Sequence, residues 1–448
     1  METIIAQATP KGESAIALIR VSGSKCKTIL KEACNYNNII PRFSKLCSYC
    51  DSNNNELDQI LVTFFEKGKS YTGLDSFEIC CHGNPLISQL ICEDLIKRGC
   101  RVATPGEFTK LSFINGKIDL SQAESVAQII SARNQNSLAA AQRNLRGELS
   151  KQLTSIQDKI LNLQASIEAF IDFPEDDLGT EDHDLQQMLC GEVISSLELL
   201  LEHASKTTFL NKDIKVALIG LPNAGKSSLF NEILGKKRAI VHEKKGTTRD
   251  YLEVFVKCGK TGFMLIDTAG VHETKNHIES VGVELSYEQV IEADVILWVV
   301  DNSLPYPPDL PKKFLDIFQE KHVILVRNKS DIESVGPFQK STSFDEINIS
   351  CKERYGIKLL EDTICNRIDE LQRFENDEVL LIGERHKDLI NKCLEDVRCF
   401  ESQLSQGIGI EILSTYLKSS REYIDEMIGI KTNENMLDKL FGQFCIGK

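Results

Sequence analysis

The chain has 448 residues, of which 42% are hydrophobic and 26% are charged. At roughly 150 residues per domain this length predicts about three domains, and the composition excludes collagen-like, low-complexity and wholly disordered classes. Lys and Arg number 52 against 66 for Asp and Glu, a net charge of -14, so any contact with nucleic acid must use a local basic patch.

The sequence shows no signal for a membrane or for secretion. Its longest strongly apolar runs, such as Val295 to Val300, fall far short of the roughly 20 residues of a membrane-spanning helix. The start has no basic stretch leading into a long apolar segment and no small-residue cleavage site. The 15 cysteines are an odd count and favour reduced thiols over a disulfide framework. We expect a cytoplasmic protein.

Short strands and one helix are predicted near the start of the chain. Apolar runs at Ala15 to Val21, Ile60 to Phe65 and Phe77 to Cys81 indicate strands, and Leu86 to Arg98 indicates a helix. By elimination, residues 1–117 are predicted to form an N-terminal α+β domain.

Long helices are predicted where prolines are absent, as between Gly106 and Phe173. From Leu138 to Phe170 the apolar positions recur mainly at steps of four and three, which is typical of one helix packed in a bundle, and Pro174 follows it. The same spacing continues in Leu185 to Leu201, Leu389 to Leu404 and Ile412 to Met427. These stretches predict a helical domain in two parts, residues 118–211 and 372–448.

The block between those parts, residues 212–371, has a different pattern. Apolar strand-like runs alternate with helix-compatible stretches, which predicts a parallel α/β sheet. The runs are Val216 to Ile219, Phe263 to Ile266, Val295 to Val300 and Val323 to Val326. An α/β domain inserted into one helical domain is the economical prediction, and two separate bundles would give the same pattern.

A phosphate-binding loop is predicted at the start of this block. Gly220-Leu221-Pro222-Asn223-Ala224-Gly225-Lys226-Ser227 matches the pattern, after a strand-like run and before a helix-compatible stretch that begins at Ser228. In such a loop the backbone N–H groups surround the β-phosphate, Lys226 reaches the β- and γ-phosphates, and the Ser227 hydroxyl binds Mg²⁺. The alternative is a glycine-rich turn that binds nothing.

Downstream segments indicate that the nucleotide is GTP. Asp267-Thr268-Ala269-Gly270 follows a strand and places a carboxylate near the metal and a flexible glycine near the γ-phosphate. Asn328-Lys329-Ser330-Asp331 offers an Asp carboxylate to the two N–H donors of guanine, a pair that adenine lacks. Ser350-Cys351-Lys352 stands where a base-supporting loop is expected, and Thr247-Thr248 offers a hydroxyl to Mg²⁺. Together these segments predict a GTPase domain.

The group that orients the attacking water is not obvious from the residues. A Ras-like GTPase uses a Gln at this point, whereas this chain has Val271. Acidic residues of the switch region, Glu273, Glu279 and Glu284, are candidates, and so is a partner. Asn223 and the segment from His242 to Thr248 could hold a monovalent cation that replaces an arginine finger.

The complete set of motifs resembles one family, the tRNA-modification GTPase MnmE, also called TrmE. The resemblance covers nearly the whole chain. Its motifs are Ala8-Thr9-Pro10, Ile19-Arg20-Val21-Ser22-Gly23, Ser70-Tyr71-Thr72-Gly73 leading to Glu78, Cys81-His82-Gly83, Pro105-Gly106-Glu107-Phe108-Thr109, Asn115-Gly116-Lys117, the phosphate loop extended to Ser228, Gly246-Thr247-Thr248-Arg249-Asp250 and Cys445-Ile446-Gly447-Lys448.

The resemblance implies a folate-binding and dimerising N-terminal domain, a helical domain in two segments and an inserted GTPase domain. It implies a homodimer that works with the flavin-dependent partner MnmG (GidA), expected as a heterotetramer, to place an aminomethyl or carboxymethylaminomethyl group on the wobble uridine of certain tRNAs. A 5-formyl- or methylene-tetrahydrofolate derivative would carry the one-carbon unit. Four positions match the folate site of the family: Arg20, Glu78, Lys117 and Lys448.

The resemblance also implies GTP hydrolysis stimulated by K⁺. The K⁺ positions of the family match Asn223, the backbone around His242 and Lys244, and Thr247. Glu279 matches the glutamate that orients water, which makes Glu279 and Lys226 the expected catalytic residues.

The chain departs from the usual family pattern at Val271-His272, where a Leu-Arg pair is common, and at Asn84, where a second glycine is common. Two rival functions remain: a regulatory GTPase of ribosome assembly, which would need an RNA-binding module, and a folate-dependent one-carbon transferase regulated by GTP.

Overall fold

The computed structural model describes residues 2–132, 134–172, 180–211, 214–221, 223–236, 252–258, 261–267, 290–304, 317–318, 321–333, 344–371, 379–405 and 410–448. These residues form two compact units. The first comprises Met1–Ser131, Ala141–Ala204 and Leu380–Lys448, and the second comprises Ala132–Ala140 and Ser205–Val379. The first unit is therefore built from chain segments on both sides of the second.

The N-terminal part of the first unit is a six-stranded sheet with helices on both faces. The sheet order is β3-β4-β5-β2-β1-β6, in which β1 and β6 are parallel and the other pairs are antiparallel. Its elements are β1 (Thr3–Gln7), β2 (Ile16–Ser22), α1 (Cys26–Cys34), β3 (Ser44–Cys50), β4 (Glu56–Phe65), β5 (Ser76–His82), α2 (Pro85–Lys97), β6 (Cys100–Val102) and α3 (Glu107–Ile114).

Alternation along the strands separates the two faces of this sheet. Ile19, Ile60 and Ile79 are fully buried on the face that packs against α1 and α2. Residues one position along each strand point to the opposite face, which carries Arg20 and Glu78. Asn84 lies between β5 and α2, where its side chain accepts a hydrogen bond from the N–H of Leu86 at 2.8 Å and caps α2.

The helical part of the first unit has one core formed by both chain segments. Buried side chains of Leu149 to Ala204 and of Leu380 to Met427 belong to a single apolar cluster. Its helices are α4 (Leu120–Ser131), α5 (Gln135–Leu145), α6 (Glu148–Asp172) and α7 (Thr180–Asn211), followed after the second unit by α10 (Glu384–Ser405), α11 (Ile410–Ile428) and α12 (Glu434–Phe441).

The continuous helix predicted from Leu138 to Phe170 is two helices, α5 and α6. The chain breaks at Gly147, which has φ +85°, a left-handed conformation that glycine adopts at little cost. The N–H of Gly147 bonds to the carbonyl of Asn144 at 2.9 Å, and the Asn144 amide reaches the carbonyl of Leu381 at 2.6 Å. The apolar spacing in the sequence nevertheless continues across this break.

The second unit is an α/β sheet with the order β12-β11-β10-β7-β9-β8. All neighbouring strands are parallel except β8, which is antiparallel to β9. Its elements are β7 (Lys215–Ile219), α8 (Lys226–Lys236), β8 (Leu252–Cys258), β9 (Thr261–Asp267), β10 (Val295–Asp301), β11 (His322–Asn328), β12 (Asp345–Asn348) and α9 (Ile357–Leu371). The predicted fold class, an α/β domain inserted into a helical one after an α+β domain, is confirmed.

Two further predictions concern membranes and cysteines. Within the described part of the chain, no helix has both the length and the apolar character needed to cross a bilayer. Thirteen of the described cysteines are free thiols. Cys365 on α9 is disulfide-bonded, so the expectation of reduced thiols is wrong at this position.

A buried polar cluster joins α4 to the start of α10. The Nε2 atom of His386 lies 3.0 Å from the Ser121 hydroxyl and 3.0 Å from Nη2 of Arg385, and Nδ1 lies 3.2 Å from Oε2 of Glu124. Burial, opposed by the Glu124 charge and reinforced by the Arg385 charge, lowers the pKa of His386 to about 4. His386 is therefore neutral in the folded protein at neutral pH.

The neutral His386 predicts a pH-dependent stability of α10. Unfolded His titrates near pH 6.5, so the stabilising effect is complete above that pH and is lost as the pH falls towards 4. The opening free energy of α10, measured by hydrogen exchange, should fall by about 2 kcal/mol between pH 7 and pH 5.

His386→Gln should remove this pH dependence, whereas His322→Gln, at the exposed first residue of β11, should retain it. Equal pH dependence in the wild type and in His386→Gln would contradict the assignment.

Candidate functional site

The predicted phosphate loop connects β7 to α8. Asn223 has φ +64° and Gly225 has φ +96°, so the chain turns through two left-handed residues before α8 begins at Lys226. A Cβ at Gly225 would lie 2.0 Å from Nδ2 of Asn328, which no side chain can tolerate. Ala224 between them is buried. The loop is therefore packed tightly against the end of β11.

Lys226 is positioned by the loop itself. Its Nζ atom donates to the carbonyls of Gly220 at 2.8 Å and Leu221 at 3.0 Å, so the ammonium group lies over the loop. Ser227 and Ser228 are exposed in the first turn of α8, where backbone N–H groups lack helical partners and favour an anion. This donor set fits a bound phosphate chain, and the Ser227 hydroxyl fits one ligand position of Mg²⁺.

Asn328 connects the phosphate loop to the predicted base-binding segments. Its buried side chain donates from Nδ2 to the carbonyl of Ala224 at 3.0 Å and accepts at Oδ1 from the N–H of Cys351 at 3.3 Å. The next residue, Lys329, has φ +62°. The loops at Ala224 and Cys351, which lie 104 and 23 residues from Asn328 in the sequence, therefore meet at one amide.

The predicted guanine-reading carboxylate is held by a serine. The Ser350 hydroxyl donates to Oδ1 of Asp331 at 2.7 Å, and this bond is the main reason that the pKa of Asp331 is lowered. Asp331 and Ser350 line a cavity of about 590 Å³. Lys352 is exposed beside it. The structure thus brings together the segments starting at Asn328 and Ser350.

Several predicted site residues lie outside the described residues. They are His242, Lys244, Thr247, Thr248, Thr268, Ala269, Gly270 and Glu279. Asp267 is described in its backbone only, as the last residue of β9 and the partner of Leu218 on β7. Among the described residues no group of three or more His, Cys, Asp or Glu side chains could hold a metal ion.

The first unit brings together three of the four predicted folate positions. Arg20 on β2 and Glu78 on β5 are cross-strand neighbours, with Nε and Oε1 2.8 Å apart. Nη1 of Arg20 also donates to the carbonyl of Gly447 at 3.2 Å. The C-terminal residues therefore lie beside this ion pair, and the carbonyl of Lys448 accepts from the N–H of Phe108 at 3.2 Å.

Lys117 is placed at a neighbouring loop. Its Nζ atom bonds to the carbonyl of Gly68, and the adjacent Asn115 amide bonds to the carbonyl of Thr72 at 2.7 Å. The loop that Lys117 holds carries Tyr71, which lines a cavity of about 100 Å³ with Arg20, Glu78 and Phe108.

Sequence reasoning assigned no role to Tyr71 or Phe108. Both lie in motifs that carry the family resemblance, and this was the signal in the sequence that could have identified them. The Tyr71 hydroxyl lies 3.0 Å from the hydroxyl of Thr109, so the two motifs are in direct contact. Aromatic rings therefore form part of the wall beside the Arg20–Glu78 pair.

Comparison with known proteins agrees with this arrangement. Residues 120–445 match the MnmE helical domain and residues 3–117 match the GTP-binding protein TrmE N-terminus. The tRNA modification GTPase MnmE of Opitutus terrae is 37% identical and that of Aquifex aeolicus 36% identical, with 100% of this chain and 99% and 100% of those proteins covered. The G domain of the T. maritima FeoB iron transporter aligns over 36% of this chain and 100% of its own at a TM-score of 0.27 and 24% identity, which is too weak to support a conclusion.

The α/β sheet, the phosphate loop and the segments around Asn328 and Ser350 define a P-loop GTPase domain, inserted here into a helical domain. The family models and the relatives cover the chain from end to end. The chain belongs to the tRNA modification GTPase MnmE family, which confirms the resemblance found in the sequence.

Proposed function

We propose that this protein is a cytoplasmic GTP hydrolase whose nucleotide cycle serves the modification of tRNA. One observation carries the proposal: a phosphate loop with its base-reading segments and a separate Arg20–Glu78 site occur in one chain. The acidic chain, with a net charge of -14, is expected to contact tRNA through a local basic patch or through its partner.

The described residues of the nucleotide site have distinct roles in this proposal. Lys226 leaves its loop carbonyls to neutralise the β- and γ-phosphate oxygens, and the N–H groups at the start of α8 bind the same anion. Asp331 accepts the two N–H donors of guanine. Ser227, Thr248 and Asp267 would hold Mg²⁺, which when bound offsets the negative charge of the phosphates.

Water activation is assigned to Glu279, with help from K⁺. Val271 stands where a Ras-like enzyme has its Gln, so another acceptor must orient the water. Asn223 has φ +64°, so it lies in the phosphate loop before α8 begins. Asn223, Thr247 and the backbone near His242 and Lys244 would hold K⁺, which supplies the charge that an arginine finger supplies elsewhere.

Glu279→Ala should therefore bind GTP with nearly unchanged affinity and lose turnover by about 100-fold or more, because removal of a positioned general base or water-orienting group costs this much. Replacing K⁺ by Na⁺ should slow hydrolysis by the wild type. Phosphate release under single-turnover conditions measures both effects.

Glu273→Ala is the matched control and should retain turnover. Near-normal hydrolysis by Glu279→Ala would defeat the catalytic assignment, and hydrolysis indifferent to the exchange of cation would remove K⁺ from the proposal.

The chemistry proposed for the protein with its partner MnmG (GidA) is the addition of an aminomethyl or carboxymethylaminomethyl group at C5 of the wobble uridine. A 5-formyl- or methylene-tetrahydrofolate derivative, when bound, supplies the one-carbon unit. The Arg20 guanidinium fits a folate carboxylate and the Glu78 carboxylate fits pterin N–H donors. Lys117 and Lys448 supply further positive charge near this pair.

The folate site supports the proposal of a homodimer. The cavity beside Arg20 and Glu78 is about 100 Å³, below the roughly 300 Å³ of typical small-molecule sites, so a folate needs further walls. The same sheet face exposes Leu46, Leu61 and Ile16, at 64%, 46% and 56% of their surface. A second subunit on this face would cover apolar surface and enclose the ligand, and two MnmG subunits would complete the heterotetramer.

Complementation of cells that lack this protein tests the function directly. Mass spectrometry of their tRNA should show unmodified wobble uridine, and the wild-type chain should restore the modified nucleoside. Arg20→Gln should fail to restore it, because the neutral amide cannot pair with a folate carboxylate or with Glu78.

Arg42→Gln, at an exposed arginine of the same sheet domain, should restore modification as the wild type does. Unchanged wobble nucleosides in the cells without the protein would reject the tRNA function and favour a GTPase of ribosome assembly.

A further inference from the structure

The turn that reads the base is held by residues of the neighbouring strand. β10 and β11 are parallel and in register up to Asp301 and Asn328, so the residues after both strands emerge at the same edge of the sheet. Residues 328–332 form the turn that carries Lys329 and Asp331. Asp301 is the last residue of β10, and residues 302–303 follow it and lie beside this turn.

Both carboxylate oxygens of Asp301 have partners. Its Oδ2 atom lies 2.6 Å from Nζ of Lys329, and its Oδ1 atom accepts from the N–H of Ser303 at 3.0 Å and the Ser303 hydroxyl at 2.7 Å. Only 10% of the Asp301 side chain is exposed. Burial alone would raise its pKa, but the bonds from Lys329 and Ser303 outweigh burial and lower the pKa. Asp301 is thus a fixed anion.

Asn302 holds the turn at its two ends. Its backbone N–H donates to the carbonyl of Asn328 at 2.9 Å, and its Nδ2 atom donates to the carbonyl of Ile332 at 3.3 Å. Lys329, between these points, has φ +62°. A non-glycine residue in this region costs about 1 kcal/mol or more and persists only where its surroundings enforce it.

These contacts lie outside the apolar core of the domain. Asp301 ends β10 and Asn302 follows it, and their side-chain bonds go to Lys329, Ile332 and Ser303 rather than to the apolar clusters of the sheet. The carboxylate of Asp331 lies inside the segment that they hold. Its alignment with two N–H donors therefore depends on the conformation that Asp301 and Asn302 impose.

We propose that Asp301 and Asn302 are positioning residues for guanine recognition: they fix the Asn328–Ile332 turn so that Asp331 meets both N–H donors of the base. The inference deepens the proposed function and rests on it, since it requires that the protein bind GTP. Inosine lacks the exocyclic amino group of guanine, so preference for GTP over ITP measures how well Asp331 reads that group.

The test compares dissociation constants for GTP and ITP in the full-length protein. Asp301→Asn keeps the shape and removes the charge that holds Lys329, so the ratio of the ITP constant to the GTP constant should fall by about threefold or more. Asn302→Ala removes only the side-chain bond to Ile332, at a partly exposed residue, and should lower the ratio to a smaller extent. Asp345→Asn, which removes an ion pair with Arg367 at 2.6 Å in the same unit, should leave the ratio unchanged.

A merely structural role would lower thermal stability and weaken both nucleotides equally. Unchanged ratios in Asp301→Asn and Asn302→Ala, with wild-type selectivity intact, would overturn the inference and leave the proposed function standing. If Asp301→Asn does not fold, the ratio for Asn302→Ala decides. A wild-type protein that does not bind GTP would overturn both.

Discussion

One buried amide holds the nucleotide-binding edge of the α/β unit together. Asn328 donates to the carbonyl of Ala224 and accepts from the N–H of Cys351, so the phosphate loop and the segment proposed to support the base share one side chain. Gly225 has no room for a Cβ against this amide. An unpaired buried polar group costs about 1–3 kcal/mol, so loss of either loop would destabilise the other. The turn at Lys329, with φ +62°, lies directly after Asn328 at the same edge of the sheet.

The helical core sets a second constraint, on the order of the chain. Side chains from Leu149 to Ala204 and from Leu380 to Met427 form one apolar cluster, so neither segment can bury its apolar stripe alone. The GTPase domain between them is an insertion whose two ends belong to helices of the same bundle. In the same unit, the C-terminal residues reach Arg20 through the carbonyl of Gly447, which joins the end of the chain to the proposed folate site.

The sequence predicted the features that have a strong local pattern. Four central strands are continuous apolar runs because parallel strands are covered on both faces, and the phosphate loop requires a particular set of residues. The strands β1, β3, β6, β8 and β12 were missed because they are short or partly exposed. The break at Gly147 was missed because the apolar spacing continues across it. The roles proposed for Asp301 and Asn302, and the contact of Arg20 with the tail, depend on residues that are distant in the sequence and that the fold brings together, so they have no sequence pattern.

The most direct measurement of the central claim is the affinity of Asn328→Ala for GTP, determined by fluorescence titration alongside Thr363→Ala on α9. The substitution leaves the Ala224 carbonyl and the Cys351 N–H without their partner, so affinity should fall by about tenfold or more. Thr363→Ala, which loses only a hydroxyl bond to the carbonyl of Leu359, should bind GTP as the wild type does. Wild-type affinity in a folded Asn328→Ala protein would contradict the claim that this amide organises the nucleotide site.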